Sequence, residues 1–524
     1  MMLKNIISVD LGTTEIKGVL INKEGIVDEA RAQCKLQYKG SGRVEQDPDE
    51  IKQNIIKIIR KLVENNQDKR KNIIGITFTS NMQGILPVDN TGKPLMNLIT
   101  WLDTRAAEVT KKIILKGWPK VSGIPLLKLL KFLRITGGAP GTDGKNTLAK
   151  TVWIKEEKID IYNSTYKLLD TKDYGVFLAT GKFITSIDMA YITWLMDTRE
   201  NVMNWSQNLC DAFNLDINKF PQIKKSTENL GKITEKFANA TLLPTNVEVI
   251  NGSGDLLTSA IGSGAILNGQ LHANIGTAGW VGCHYEERTL DIAHYSGTIA
   301  SGIPSKYLIL CKQETLGGAL DWIRKIIFGD TESDGNSELS TKEQYKKIDE
   351  MVTKSPCGAN QLIFTPWLHG ERSPINDPYL RGQLFNIGMY HNRADILRAV
   401  YESVAFNLRW GIEVVEKQSK MPQTCVNIIG GASKSDTWCQ IFADIWQKEV
   451  IRPKRPQMAS ALGAACIALI GFGIYQEFSE INKLIKIDKK FTPRKTHIDL
   501  YDQLYENFKN LYDRNKKLFY DINH

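Results

Sequence analysis

The feature that most constrains the fold is a glycine-punctuated stretch at residues 247–280. An apolar, β-rich run leads into the turn 251–254, then into Asp255 and a small-residue helix predicted over 256–265. A second β-like run ends in another glycine turn at 275–279. Glycine at such turns lets backbone N–H groups approach a ligand closely. Because open α/β sheets place their chemistry where a strand gives way to a helix, the stretch predicts an α/β protein with a site at Asp255.

Two interpretations of this stretch stay open on its residues alone. In the first, the protein is a phosphotransferase in which Asp255 is the general base and the turn at Gly276 holds nucleotide phosphate. In the second, residues 252–255 form an ordinary strand-to-helix turn with Asp255 as a helix cap. The motif is short, so the rest of the chain has to decide between them.

The bulk composition is that of a large globular protein. Its 524 residues exceed what one core usually serves, so two large domains are expected. The net charge is +9, and no basic tract is interleaved with aromatics, which predicts no nucleic-acid partner. No apolar run reaches about 18 residues, so no membrane partner is expected. Eight cysteines without metal-ligand spacing fit a reducing cytoplasm, which is the predicted location.

The N-terminal residues predict a hairpin with a phosphate-binding tip. Apolar β-runs at 5–10 and 16–21 flank a turn that includes Asp10, Thr13 and Thr14. Backbone amides and threonine hydroxyls suit phosphate oxygens, and an aspartate can hold hydrated Mg²⁺. A plain hairpin turn without a ligand explains the same residues.

A series of motifs, in order along the chain, resembles the FGGY family of carbohydrate kinases. The motifs are 10–14 (DLGTT), 45–48 (EQDP), 82–84 (MQG), 101–105 (WLDTR), 172–174 (KDY), 252–255 (GSGD), 275–279 (IGTAG), 370–374 (GERSP), 430–433 (GGAS) and 461–465 (ALGAA). Each is short, and their shared order over residues 5–470 carries the resemblance. Within the family the chain looks most like the xylulokinase branch.

This resemblance implies a fold and a domain organisation. The family has two ribonuclease H-like domains of the actin-like ATPase type, an α/β fold with an active-site cleft between the domains. A sugar-binding N-terminal domain is predicted over residues 1–246 and an ATP-binding C-terminal domain over 247–480. Residues 481–524 are predicted to be a helical extension packed on the C-terminal domain. Homodimers occur in the family, and a homodimer is one option for this chain.

The resemblance also assigns the residues that would act on ATP and Mg²⁺. Asp255 corresponds to the family's catalytic aspartate and would accept a proton from the sugar hydroxyl, and Asp10 would position the metal. The predicted ATP contacts are Thr13, Thr14, Lys17, Gly276, Thr277, Gly317, Asp321, Gly430, Gly431 and Ser435. Asp321 and Ser435 match the family by position rather than by residue type.

The predicted sugar contacts depart from the family's pattern at one residue. Met82 and Gln83 stand where the family has its sugar-contacting pair, which is usually Met-His in xylulokinases. Glutamine can hydrogen-bond a sugar hydroxyl but does not titrate as imidazole does. Asp103 and Arg105 are further candidates beside Asp255, although a salt bridge within the N-terminal domain explains those two residues equally well.

Two further positions near the predicted sugar site lack the usual polar residue. Leu102 and Leu256 replace side chains that are polar in most family members, and losing hydrogen-bond partners changes or relaxes specificity. Residues 116–133 are basic and apolar, with leucines at helical spacing. The glycine-rich loop that follows lacks the GK[ST] ending of a P-loop, which indicates a surface or cleft-rim loop. Residues 136–146 look longer than their counterpart in the family, so no sugar contact is assigned within residues 136–150.

The predicted function is an ATP-dependent sugar kinase that phosphorylates a ketopentose, with D-xylulose as the first candidate. The altered sugar positions keep a second hypothesis open, in which the acceptor is another ketose, a polyol or a modified sugar. A third is a catalytically weak regulator that binds sugar or nucleotide on the same scaffold. A pure binder needs no base, so the presence of the full set of predicted catalytic and phosphate residues argues against it: Asp10, Thr13, Thr14, Asp255 and Thr277.

Overall fold

The computed structural model describes residues 3–121, 123–329 and 339–524. Within these residues the chain forms two compact units. The first unit contains residues 3–264, 299–307 and 458–485, and the second contains the other described residues. Both units are mixed α/β structures, each built around one large sheet.

The first unit is built on a six-stranded sheet. In spatial order its strands are Asn229–Lys232, Glu248–Gly254, Ile73–Ser80, Asn5–Leu11, Glu15–Asn22 and Gly25–Gln33. The second, third and fourth of these are parallel to one another, and the outer strands add antiparallel pairs. Residues of Asn5–Leu11 and Ile73–Ser80 are buried almost throughout, as expected for parallel strands covered on both faces. The carboxyl ends of the three parallel strands therefore meet at one edge.

Helices and short strands surround this sheet. Helix Pro48–Asn65 buries one apolar face, because its isoleucines and Leu62 recur at helical spacing. The other α-helices of five or more residues are Leu126–Thr136, Thr147–Glu157, Ile159–Ser164, Thr171–Thr180, Ile187–Tyr191, Gln207–Ala212, Glu235–Thr241, Asp255–Gly262 and Ala459–Gly471, with a π-helix at Thr110–Ile114 and 3-10 helices at Gln67–Asn72 and Phe478–Lys483. Short strands are Gln37–Tyr38, Val44–Gln46, Leu86–Val88, Leu98–Ile99, Lys120–Val121, Ile124–Pro125, Lys167–Leu169, Ile184–Ser186, Met196–Asp197, Asn204–Trp205 and Gln222–Lys224.

The second unit is built on an eight-stranded sheet. In spatial order its strands are Leu290–Asp291, Ser296–Ala300, Tyr307–Gln313, Gly279–Tyr285, Leu271–Ile275, Cys425–Ile429, Glu449–Pro453 and Ile487–Phe491, and a separate pair joins Ile363–Thr365 to Gln383–Phe385. Its longer helices are Gly317–Phe328, Thr341–Val352, Arg393–Ser419, Asp436–Trp446 and Ile498–Asn523. The last helix places Tyr501, Tyr505 and Phe508 in the core of this unit.

The compact units differ from the domain limits predicted from the sequence, which placed a boundary after residue 246. The strand Glu248–Gly254 pairs with Ile73–Ser80, so it belongs to the sheet of the first unit. Residues 458–485 also return to the first unit, because the helix Ala459–Gly471 packs on Asp255–Gly262. Residues 486–524 lie in the second unit. Across the helices that the structure describes, none has the length and apolar character needed to cross a membrane.

Candidate active site

The carboxyl edge of the first sheet brings the two predicted catalytic aspartates to the same place. Asp10 and Ser253 are both in register with Thr79 of the strand between them. Asp255 follows Ser253 by two residues and is the first residue of the helix Asp255–Gly262. Asp10 and Asp255 therefore lie on either side of one strand end, which is where parallel α/β sheets carry their chemistry.

Asp10 fits the predicted role of a magnesium ligand. Its side chain is buried, and burial raises the pKa of its carboxyl to about 6; Lys17, directly across the hairpin, lowers this pKa and Glu15 raises it. A carboxylate that is costly to ionise inside the protein gains from a cation at close range. Within the described residues, no group of three or more His, Cys, Asp or Glu side chains could hold a metal. A single carboxylate such as Asp10 suits Mg²⁺, which commonly uses one carboxylate, waters and substrate phosphate.

The raised pKa of Asp10 predicts a pH dependence. We expect kcat/KM to fall as the pH drops through about 6, because protonated Asp10 cannot hold Mg²⁺. Higher Mg²⁺ should move this midpoint to lower pH, since metal and proton compete for the carboxylate. Initial rates at two Mg²⁺ concentrations across this range measure the effect. If the midpoint does not change with Mg²⁺ concentration, another group titrates.

The raised pKa of Asp10 also affects folding when no metal is bound. Folding becomes less favourable as the pH rises toward about 6, because the folded state holds the proton of Asp10 more tightly than the unfolded state does.

The tip of the N-terminal hairpin is anchored through its carbonyl groups. Gln46 Nε2 donates to the Thr13 carbonyl at 3.0 Å, and the Cys34 amide donates to the Thr14 carbonyl at 2.9 Å. Thr14 is exposed and Thr13 half-buried. Lys17 follows in the second strand of the hairpin, with its Nζ 3.9 Å from Glu15. The predicted phosphate contacts of this unit thus share a fixed tip next to Asp10.

The turn that carries Asp255 is held by buried polar side chains. Asp188 Oδ2 accepts hydrogen bonds from Ser253 Oγ at 2.8 Å and from the Gly254 amide at 2.6 Å. Lys172 Nζ donates to Asn251 Oδ1 at 3.1 Å. Gly252 has φ +78°, and a Cβ there would overlap the Phe78 carbonyl oxygen, so the turn requires glycine. Lys172 lies in the motif at 172–174, to which the sequence assigned no role, and Asp188 lies in no recognised motif, so sequence reasoning missed this support.

Asp188 is expected to stabilise the turn before Asp255. Asp188→Ala should lower the free energy of unfolding by about 2–4 kcal/mol, because a buried amide and a buried hydroxyl lose their acceptor. Asp188→Asn retains a carbonyl oxygen and should cost less. Urea unfolding curves of the three proteins measure the effect. Equal stability of the alanine variant and the unchanged protein would contradict it.

The helix of Asp255 is positioned by an unusually close contact with the helix Ala459–Gly471. A Cβ on Gly262 would overlap the Ala459 carbonyl oxygen, and a Cβ on Gly463 would overlap the Thr258 carbonyl oxygen. Ser259 Oγ and Ser460 Oγ lie 2.8 Å apart across the same contact. Small residues on both helices allow this backbone approach, so the position of Asp255 depends on them.

The predicted sugar loop lies against the same strand end. A Cβ on Gly254 would lie close to Met82 Sδ, so Met82 packs on the residue before Asp255. Gln83 has φ +70°, and its carbonyl oxygen accepts from Lys150 Nζ at 2.8 Å. Lys150 also donates to Thr100 O at 2.7 Å, and burial lowers the pKa of Lys150 to about 7. Sequence reasoning assigned no role to Lys150.

A second buried group holds the other side of this loop. Asp170 Oδ1 accepts from the Gly84 amide at 3.1 Å and from the Thr171 amide at 2.7 Å. Burial, together with Asp173, raises the pKa of Asp170 to about 8. The backbone at Gln83 is therefore fixed by hydrogen bonds on both sides.

Asp103 and Arg105 form the salt bridge that the sequence offered as an alternative to sugar binding. Arg105 Nη2 lies 2.7 Å from Asp103 Oδ2 and 2.7 Å from Glu45 Oε1, and all three side chains are buried. Asp103 Oδ2 also accepts from the Val44 amide at 2.6 Å. Burial lowers the pKa of Arg105, but its hydrogen bonds to the two acids outweigh this and raise the pKa overall. A sugar contact by either residue stays a prediction.

In the second unit, four of the predicted nucleotide contacts meet at the carboxyl edge of the sheet. Gly276 directly follows the strand Leu271–Ile275, and its carbonyl accepts a hydrogen bond from the Gly317 amide at 2.9 Å. The Thr277 carbonyl accepts from the Gly318 amide at 3.0 Å. Gly430 has φ +90°, and a Cβ there would lie 2.6 Å from the Ile275 carbonyl oxygen. Gly276, Thr277, Gly317 and Gly430 thus form one glycine-lined edge.

The other predicted nucleotide contacts flank this edge. A Cβ on Gly431 would meet only one atom, at 4.0 Å, so Gly431 faces open space that a ligand could fill. Asp321 accepts from Tyr345 Oη at 3.0 Å and pairs with Arg324, and Ser435 Oγ donates to Asp349 Oδ1 at 2.7 Å. Tyr345 and Asp349 lie one turn apart on the helix Thr341–Val352. Asp321 and Ser435 therefore hold bonds within the unit, and their contact with a nucleoside stays a prediction.

The two α/β units have the actin-like ATPase fold, and the family matches that follow make the chain a phosphotransferase with an alcohol group as acceptor. Models of the two domains of the FGGY family of carbohydrate kinases match residues 5–262 (N-terminal domain) and 271–472 (C-terminal domain). The chain belongs to the FGGY family of carbohydrate kinases. The family and the fold class predicted from the sequence are confirmed.

Relatives and solved structures are similar over nearly the full chain. A xylulose kinase of Bacillus subtilis (strain 168) is 30% identical over 519 residues, which cover 98% of each chain. The ligand-bound xylulose kinase from Lactobacillus acidophilus has a TM-score of 0.86 at 25% identity, covering 99% of this chain and 100% of that one. A gluconate kinase from the same organism has a TM-score of 0.85 at 25% identity, covering 98% of each.

Proposed function

We propose that this protein transfers the γ-phosphate of ATP to a hydroxyl of a ketopentose, with D-xylulose as the first candidate acceptor. The observation that carries the proposal is the shared strand end of Asp10 and Asp255, the residues to which we assign the roles of metal ligand and base. The xylulose kinases similar to this chain support the choice of acceptor. The eight cysteines of the chain are free thiols, which suits the cytoplasm where we place this reaction.

Each group of residues has a separate task in the proposed mechanism. Asp255 accepts the proton of the attacking sugar hydroxyl. The amides and hydroxyls of Thr13 and Thr14 would donate to phosphate oxygens, and Asp10 would hold Mg²⁺. The metal, when bound, neutralises charge on the phosphates. The glycine-lined edge with Gly276 and Gly430 binds the nucleotide in the second unit.

The charges around the sugar loop favour an uncharged acceptor over a sugar acid. Arg105 is engaged by Asp103 and Glu45, and Lys150 by two carbonyl oxygens. A sugar carboxylate is bound most strongly by a cation that is available to pair with it. Gluconate, the substrate named for one similar structure, is therefore a weaker candidate than a ketose or polyol.

Release of ADP across a panel of acceptors tests this function. The panel contains D-xylulose, other ketoses, polyols and gluconate, each with MgATP. We expect the highest kcat/KM on D-xylulose and little turnover on gluconate. Higher turnover on another uncharged sugar would support the kinase activity but assign it a different substrate. Bound ATP without sugar-dependent turnover on any acceptor would favour the regulator hypothesis.

A further inference from the structure

Most of the excess positive charge of the chain lies in one stretch. Residues 109–142 contain seven Lys or Arg residues and no Asp or Glu, so they supply seven of the nine net positive charges. Glu108, just before the stretch, pairs with Lys111, with 3.0 Å between Oε1 and Nζ. The basic residues are Lys111, Lys112, Lys116, Lys120, Lys128, Lys131 and Arg134. Composition alone gave no sign that the charge was concentrated here. A local excess of this size creates a field that attracts an anionic partner.

The same stretch exposes large apolar side chains. Trp118 is 89% exposed, Leu127 is 81% exposed and Leu130 is 53% exposed. Leu127 and Leu130 are three residues apart and share one face of the helix Leu126–Thr136. Lys131 comes four residues after Leu127, and Arg134 comes four residues after Leu130, so positive charge lies on the same face of the helix.

The opposite side of this segment is anchored in the core of the first unit. Phe132 and Ile135 of the helix are buried in the cluster that contains Trp153. The Leu126 amide donates to the Pro119 carbonyl at 2.8 Å, which joins the helix to the hairpin that follows Trp118. Lys128 Nζ donates to the Ile113 and Ile114 carbonyls at 2.7 and 3.0 Å. The exposed side chains therefore project from an ordered base.

We propose that this surface, defined by Trp118, Leu127, Leu130 and the basic residues of 111–134, binds the surface of an anionic lipid bilayer. Exposed tryptophan and leucine suit the interface between headgroups and acyl chains, and lysines beside them attract anionic headgroups. A second copy of this chain is a poor partner, because the surface would meet its own positive charge. The predicted absence of a membrane partner rested on the lack of a spanning segment, which surface binding does not need.

Vesicle sedimentation of the full-length protein tests the proposal. We expect binding to vesicles of two parts phosphatidylcholine and one part phosphatidylglycerol, none to phosphatidylcholine alone, and weaker binding as salt rises. Lys116→Gln and Lys120→Gln should each weaken binding about fivefold, which corresponds to about 1 kcal/mol for one lysine. Trp118→Ser with Leu127→Ser should weaken it further.

Matched variants outside the surface serve as controls. Met389→Ser removes an exposed apolar side chain elsewhere, and Lys483→Gln removes an exposed lysine elsewhere. Both should bind vesicles as the unchanged protein does. The proposal is overturned if phosphatidylglycerol causes no binding, or if the control and surface variants lose binding equally. It is also overturned if light scattering shows a dimer that Trp118→Ser with Leu127→Ser converts to a monomer.

Discussion

Asp255→Asn is expected to lower kcat by about 10²–10⁴-fold, the range that a general base contributes. The amide cannot accept the proton of the sugar hydroxyl, yet it has nearly the same size as the carboxyl group. The turn before it keeps its hydrogen bonds to Asp188, because these involve Ser253 and Gly254. ATP affinity should stay within about threefold, since the predicted nucleotide contacts are other residues. ADP release gives kcat, and calorimetric titration gives the affinity for ATP.

A matched control separates loss of the base from a change at a helix terminus. Asp49 is an exposed acid in the first turn of the helix Pro48–Asn65, so Asp49→Asn removes the same charge from a similar position. This control should keep nearly full activity. If Asp255→Asn retains more than about a tenth of the activity, the base must be another group, because the loss falls below that of general-base removal.

Gly463→Ala is expected to damage both stability and turnover. The added methyl group would overlap the carbonyl oxygen of Thr258, and neither backbone can move without separating the two helices. Overpacking of this kind costs about 1–3 kcal/mol of folding free energy. Because the displaced helix begins at Asp255, a shift of about 1 Å should lower kcat by about 100-fold. Denaturant unfolding and ADP release measure the two effects.

Gly297→Ala is the matched glycine control. A Cβ at residue 297 would make an ordinary contact at 3.4 Å with Leu290 Cδ1. This variant should change stability by less than about 1 kcal/mol and leave kcat almost unchanged. Wild-type activity in Gly463→Ala would mean that the helix of Asp255 can shift without moving the carboxylate.

Sequence patterns predicted the elements whose signals are local. The apolar runs at 5–10 and 16–21 became the strands Asn5–Leu11 and Glu15–Asn22, and the small-residue stretch from residue 256 became the helix Asp255–Gly262. The glycine turns around Asp255 and Gly276 were equally visible. Each of these features depends on residues close together in the chain.

The parts that the sequence did not predict depend on contacts between distant residues. Asp188 lies far from Gly254 in the sequence, and an isolated buried aspartate has no pattern that marks its partner. Lys150 reaches the carbonyl of Gln83 in the same way. The place of the strand Glu248–Gly254 in the sheet of the first unit also depends on such a contact, its pairing with Ile73–Ser80. Such pairings are decided by the tertiary fold.

The return of residues 458–485 to the first unit has a consequence for the newly made chain. As the protein leaves the ribosome, Gly276, Gly317 and Gly430 all emerge before the helix Ala459–Gly471. Until then, the helix of Asp255 lacks the partner that fixes it. We therefore expect a nascent or prematurely terminated chain to carry the nucleotide turns without an ordered base. Catalytic competence would then be among the last properties that the polypeptide gains during its synthesis.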